Sequence, residues 1–477
     1  MTATRQGAPR RGDGRPAPVV PGPHLTGPFA PVIAEVDVAE LEVVGELPVD
    51  LDGAYVRNGP NPRFSPIGSY VFPIDGDGML HRIRLSEGRA GYDNRFVRTP
   101  MVLVEERAGH AIWPGFGSGR QPGPDEVGAD LAGTRRQLPD INVVRHHGTL
   151  LALAECDRPY RIGPELETLG QESFGGVLPA GICAHPKTDP ATGEMFAFCY
   201  SFSAPFLTWT VVRPDGTATP PRPVEGIARP SMIHDMAITG RYLILVVAPL
   251  YFDGAKAVNG GSMLSWQPDH GTWIALIPRD GGPVRWCADD AFWLWHTINA
   301  HDHGDTVVLD YVEWSRPDDL APGPPVQPRL ARAVLRPTTG KVRRSTLADV
   351  AAEFPRIDDR LLGTAHSVSA SVARTGRDLP HPGCWDALAW YDTTAGTLTR
   401  WSPGELALGE PVFAPDPRSP DPHARDAGWW LVLGTRFGTG ESALFVLPAA
   451  DPTSGPVATV RLPVRVPLGL HGNWLPA

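Results

Sequence analysis

The run Tyr242-Leu243-Ile244-Leu245-Val246-Val247 is apolar without a break, and Pro249, Asp253 and Gly254 follow it. A short apolar run bounded by turn residues reads as a buried strand. Extended to Phe252 it is the longest apolar run in the chain, and it falls far short of the ~20 residues that cross a bilayer. The same unit recurs in Thr149–Ala154, Met195–Tyr200, Thr306–Val312 and Trp430–Leu433, with Gly, Asp or Pro within the next few residues. Many short strands with few long stretches of helical period predict an all-β fold. No WD or kelch repeat accompanies them, so repetition alone does not decide how the strands are arranged. Two helices are expected: Ser345 to Phe354, with Ser345 as N-cap and small helix formers after it, and Glu165 to Ser173.

Composition agrees. Of 477 residues, 42% are apolar and 20% charged, enough to build a large core. The 52 Gly and 53 Pro are spread along the chain without a Gly-X-Y period, as befits many turns. A net charge of −10 and the absence of basic clusters argue against a nucleic-acid partner. The five cysteines are odd in number, scattered and never in a CxxC pair, which predicts a reduced, cytoplasmic setting. No secretory apolar segment follows Met1, and Arg10-Arg11 precedes Gly, Pro and Asp instead of an apolar run. Peripheral membrane contact stays open. Residues 1–25 are rich in Pro, Gly and Arg and read as a disordered leader, with a single domain over 26–477.

The chain ends in His471-Gly472-Asn473-Trp474-Leu475-Pro476-Ala477, where a bulky indole needs a burial site. Two readings stand side by side. His471 either belongs to a closing strand and bonds a backbone carbonyl, or it joins a metal site built from distant segments. Most of the fifteen His need no chemistry. His146-His147 precedes Gly148 as a turn, and His24, His270, His381 and His423 lie in Pro- or Asp-rich loops. His81 alternates into the strand Met79–Leu85 as a structural residue. The preceding Asp75-Gly76-Asp77-Gly78 has the spacing of a calcium loop but lacks its distal Glu, so it reads as a turn. His185, His234 and His296 differ, because each precedes a turn and then an apolar strand, a setting repeated three times. No HExxH or CxxC spacing links them.

These contexts resemble those of the carotenoid cleavage oxygenase family, which also includes lignostilbene dioxygenases and a retinoid isomerase. The resemblance rests on the four His contexts and on Arg57-Asn58-Gly59-Pro60-Asn61-Pro62, Asp75–His81, Gly271–Gly281, Glu353-Phe354-Pro355-Arg356-Ile357 and Glu410–Pro415, in the family's order from about residue 30 onward. It implies a seven-bladed β-propeller with a cap of loops and short helices over an apolar tunnel. It implies one Fe(II) per chain on the propeller axis, held by His185, His234, His296 and His471. Glu155, Glu353 and Glu410 match the family's carboxylates behind the ligands. A carboxylate that accepts the far N–H of a ligating His fixes its tautomer and orientation. Four ligands leave up to two positions of an octahedral iron free, with room for O2. The implied reaction cuts a C=C bond of a polyene or stilbene into two carbonyl products, with both oxygen atoms incorporated.

The sequence departs from the family at two places. Leu138-Pro139-Asp140-Ile141 stands where many members carry Thr-Ala-Asn-Thr, which puts Ile141 where a Thr lies near an open iron position. Ala154 stands where the stilbene-cleaving branch has a Lys that holds a phenol oxygen, which favours a carotenoid or apocarotenoid. Tyr92, in Tyr92-Asp93-Asn94-Arg95-Phe96-Val97, resembles the phenol-binding Tyr context of that branch and keeps a stilbene in play. A third reading is a propeller that binds an apolar ligand without chemistry. Tyr251, Phe252, Trp266, Phe292, Trp293 and Trp295 are candidates for a tunnel lining, with blade packing as the alternative for each.

Overall fold

The computed structural model describes residues 16–477 except 74, 116, 117, 119, 255–262, 319, 321–324 and 425. Its strands form seven antiparallel sheets of four to six strands, and a two-stranded ribbon of Leu250–Phe252 with Leu264–Trp266. Each sheet is one blade of a β-propeller. The fifth blade shows how a blade is built: Thr297–His303, Thr306–Glu313, Arg329–Arg336 and Lys341–Ala348 follow one another as a meander. Thr306–Glu313 is buried at every residue, whereas the outer strand Lys341–Ala348 alternates and is half exposed. A strand covered on both faces reads as a continuous apolar run, and an edge strand does not. That is why the second strands of the blades, such as Tyr242–Val247 and Thr306–Glu313, were legible and the outer edges were not.

The innermost strands are Lys187–Thr188, Met236–Ile238, Thr297–His303 and Ala352–Arg356 in the third to sixth blades, and Asn142–His146 in the second. Met236–Ile238 touches both Lys187–Thr188 and Thr297–His303, and Thr297–His303 touches Ala352–Arg356. The ring is closed by two exchanges. Gly472–Pro476 pairs with Gly53–Arg57 and becomes the inner strand of the first blade. Val43–Gly45 pairs with Ala458–Arg461 and becomes the outer strand of the seventh. Trp474 packs on the first blade's cluster of Leu51, Tyr55 and Ile83, so the indole finds its burial there. Gly53 pairs with Pro476 at φ +149°, and a Cβ there would stand 2.4 Å from the Leu475 carbonyl oxygen.

Both expected helices are corrected. Ser345 to Phe354 is the end of the strand Lys341–Ala348 and the start of Ala352–Arg356, and Glu165 to Ser173 contains the strand Thr168–Gln171. Helix propensity is a weak prior, and pairing with Arg329–Arg336 and Tyr160–Ile162 overrides it. The α-helices among the described residues are Pro100–Ala108 and Pro124–Val127. Of the expected leader, residues 1–15 lie outside the described residues. Residues 16–25 are seated on the body, with Pro18 bridging Ile67 and a 3-10 turn at Pro23–Leu25.

Candidate metal centre

Four imidazoles from four blades converge where the inner strands begin. His185 lies two residues before Lys187–Thr188 and His234 two before Met236–Ile238. His296 immediately precedes Thr297–His303, and His471 immediately precedes Gly472–Pro476. One ligand atom from each lies within 4.8 Å of every other. His185 Nε2 and His234 Nε2 are 3.0 Å apart, and the ring centroids of His185 and His471 are 4.5 Å apart.

Three carboxylates stand behind three of these rings. Glu155 Oε2 is 2.8 Å from His234 Nδ1, Glu353 Oε2 is 2.5 Å from His296 Nδ1, and Glu410 Oε1 is 2.9 Å from His471 Nδ1. Glu155 belongs to the second blade, Glu353 to the sixth and Glu410 to the seventh. Every blade therefore contributes one residue to the centre. Each Nδ1 donates outward, which leaves Nε2 as the inward lone pair. His296 Nε2 is buried with no hydrogen-bond partner among the described residues.

The electrostatics follow from burial and these partners. Burial, and then the three neighbouring imidazoles, push His185 well below the usual histidine range. Burial also lowers His471, to about 4, although Glu410 works against it. For His296 burial is outweighed by Glu353, and its pKa is raised. Burial pushes Glu410 upward, but Arg356 and His471 overcome this and hold it at about 2. Arg356 Nη1 donates to Glu410 Oε2 at 3.2 Å and to the Gly472 carbonyl at 2.8 Å. Three carboxylates beside one guanidinium carry a formal charge that a divalent cation offsets.

These residues fit a divalent transition metal. Adjacent ligands on bonds of about 2.1 Å stand about 3 Å apart, as two of these nitrogens do. A neutral imidazole set suits iron, zinc, copper and nickel alike.

Other expected site residues are placed as follows. Ile141 is strapped to the centre by its main chain: its N–H donates to the Leu153 carbonyl and its carbonyl accepts from His471 N–H, both at 3.1 Å. Ala154 is buried next to Glu155. Tyr92 is packed in the first blade among Tyr55, Ile83 and Leu85, with its hydroxyl 2.8 Å from His81 Nδ1. Trp295 meets the His234 ring edge-on at 5.0 Å and Trp293 at 5.2 Å. They continue into an apolar wall with Met232, Leu264 and Trp266. Phe292 packs against Tyr311 inside the fourth and fifth blades and takes no part in that wall. Tyr251 sits under the Arg229 guanidinium, 3.5 Å from its carbon.

Sequence reasoning missed three residues. Trp314 Nε1 donates to Glu353 Oε1 at 2.8 Å. Phe354 holds a left-handed φ of +50° at a register shift of its strand, and its ring lies 5.1 Å from that of His296. Bulges of this kind re-aim side chains beside functional sites. Arg356 is the third. Phe354 and Arg356 lie in the Glu353–Ile357 motif, so that motif was the available signal. A separate cleft of about 880 Å³, between the helix Pro100–Ala108 and the strand Thr168–Gln171, contains none of the four His.

Comparison with known proteins agrees with this geometry. The family model described as retinal pigment epithelial membrane protein matches residues 29–476. The chain belongs to the carotenoid cleavage oxygenase family. It is 32% identical to a carotenoid cleavage oxygenase of Mycobacterium tuberculosis, over 95% of this chain and 97% of that one. It is 31% identical to an isoeugenol monooxygenase of Pseudomonas nitroreducens, over 95% and 98%. The crystal structure of a lignostilbene dioxygenase from Pseudomonas brassicacearum superposes with a TM-score of 0.86 at 30% identity, covering 97% of this chain and all of that one. Membership of an oxygenase family and the four-His centre therefore coincide. No helix among the described residues is long and apolar enough to cross a membrane.

Proposed function

We propose that this chain is a non-haem Fe(II)-dependent dioxygenase that cleaves a C=C bond of a carotenoid or apocarotenoid to two carbonyl products. The observation that carries the proposal is the convergence of four imidazoles, three of them backed by carboxylates. His185, His234, His296 and His471 would hold the iron, which supplies activation of O2 beside the double bond. The protein's own work is positional. Glu155, Glu353 and Glu410 fix the ring orientations, and the Trp293–Trp295 wall excludes water from the His234 side. No side chain is needed to move a proton.

The substrate class rests on what the site offers a phenol. Ala154 is a buried methyl where a Lys would anchor a phenol oxygen. The Tyr92 hydroxyl is already engaged by His81. Ile141, bonded through its main chain to the His471 segment, carries an apolar side chain where the family has a Thr. An unsubstituted polyene asks for none of these polar groups. The second reading is a phenolic stilbene or alkenylphenol, favoured by the likeness to the isoeugenol and lignostilbene enzymes.

The test is metal content of the chain purified without added metal, paired with uptake of labelled O2 on a carotenoid, an apocarotenal and a hydroxylated stilbene. The proposal expects one iron per chain, polyene-dependent uptake, label in both products, and loss of iron in His234→Ala. Turnover of the stilbene alone would replace the substrate class. Neither iron binding nor uptake would replace the enzyme with an apolar-ligand-binding propeller.

A further inference from the structure

Three of the four His are oriented by a Glu, yet among the described residues no carboxylate pairs with His185. Its segment is held by its neighbours. The Ala184 carbonyl, one residue before it, accepts from Asn142 Nδ2 at 2.9 Å. Lys187, two residues after it, places Nζ 2.8 Å from Asp235 Oδ1. Asp235 is 2% exposed and adjoins His234. Its second oxygen, Oδ2, accepts from Thr297 N–H at 2.7 Å and Thr297 Oγ1 at 2.8 Å, and Thr297 adjoins His296. Oδ1 also accepts from Met236 N–H at 2.7 Å. One buried carboxylate thus sits between the ligand-bearing segments of three successive blades. Asn142 extends the linkage, since its Oδ1 accepts from Asn473 Nδ2 at 3.3 Å on the strand that follows His471.

We propose that Asp235, clamped by Lys187 and Thr297, is the positioning residue that fixes the spacing of His185, His234 and His296 and replaces the carboxylate His185 lacks. Backbone pairing between blades is weak here, because neighbouring blades share no strand ladder. Charge-assisted hydrogen bonds inside a low-dielectric core supply a stiff link in its place. A clamp that only held the blades together would change folding stability and leave the metal alone. A clamp that sets ligand spacing changes the affinity and the ligand field of the metal.

The inference rests on the metal-centre reading and is independent of the substrate. The experiment loads metal-free full-length chain with Co(II) and measures its dissociation constant, its d–d absorption and the melting temperature without metal. Asp235→Asn keeps the shape and most contacts but removes the charge opposite Lys187. It should raise the Co(II) dissociation constant about 10- to 100-fold and shift the absorption, the range seen for groups that orient metal ligands. Lys187→Met should act in the same direction, and the double variant should add little to either single one. A folded Asp235→Asn chain whose affinity stays within about twofold of the parent, with an unchanged spectrum, overturns the proposal. If Asp235→Asn does not fold, Lys187→Met and Thr297→Val decide by the same two readouts. A parent chain that does not bind Co(II) at all overturns the metal-centre reading instead.

Discussion

The 2.8 Å contact between Tyr92 Oη and His81 Nδ1 is buried on all sides. A buried polar atom left without its partner costs about 1–3 kcal/mol. Tyr92→Phe should therefore lower the unfolding free energy by about that much in a denaturant titration and leave substrate preference unchanged. A change in the ratio of stilbene to polyene turnover, with stability intact, would return Tyr92 to the substrate pocket. Residues of this kind show the limit of a motif reading. Tyr92 stands in a context like that of a phenol-binding tyrosine, but in Arg89–Phe96 it points to the blade interior, where pairing with Ile83 places it. Ile141 is the opposite case: nothing in Leu138–Ile141 announces that its carbonyl bonds the amide of residue 471.

At the scale of elements, the strand Gly472–Pro476 carries two duties. It supplies the inner edge of the first blade, and its start presents His471 to the centre. Ring closure does not depend on it alone, because Val43–Gly45 also ties the seventh blade. Deletion of 471–477 should consequently leave a folded but less stable chain that binds a divalent metal far more weakly, checked by metal analysis after dialysis and by melting temperature. Retained metal affinity would remove His471 from the ligand set. The strand was legible because a Trp, a Gly and a His persist beside it. The outer strands were not, and Ser345 to Ala348 shows why: small, helix-competent residues become part of an exposed edge strand once Arg329–Arg336 offers its free backbone.

At the scale of the whole molecule, acid stability follows from buried imidazoles. Burial, joined by the charge of Arg57, holds His81 at about 3, and burial holds His366 at about 4, both below the ordinary 6.5. A depressed histidine pKa means that the folded chain refuses a proton which the unfolded chain accepts. Neither ring affects stability above pH 6.5, and both destabilise the fold as the pH falls from 6.5 toward about 4. Glu410 acts lower: its contribution is complete above its ordinary 4.5 and disappears as the pH falls toward about 2. Melting temperature should therefore decline between pH 7 and pH 4, and His366→Gln should flatten that decline. An unchanged slope in the variant would show that the ring is protonated in the fold.

The order of apolar runs and turns determined an all-β chain by itself, because strand burial is written locally as hydrophobicity with period or without it. The His and Glu of the centre were also present as motifs. What their spacing could not express is that residues as far apart as His185 and His471 share a point, since that depends on how seven blades close into a ring. The tertiary structure alone decided that one residue per blade faces the centre, that Arg356 offsets Glu410, and that Asp235 joins three ligand segments. Such contacts cross between blades, and cross-blade neighbours follow from the rotation between sheets, which no local pattern of side chains records.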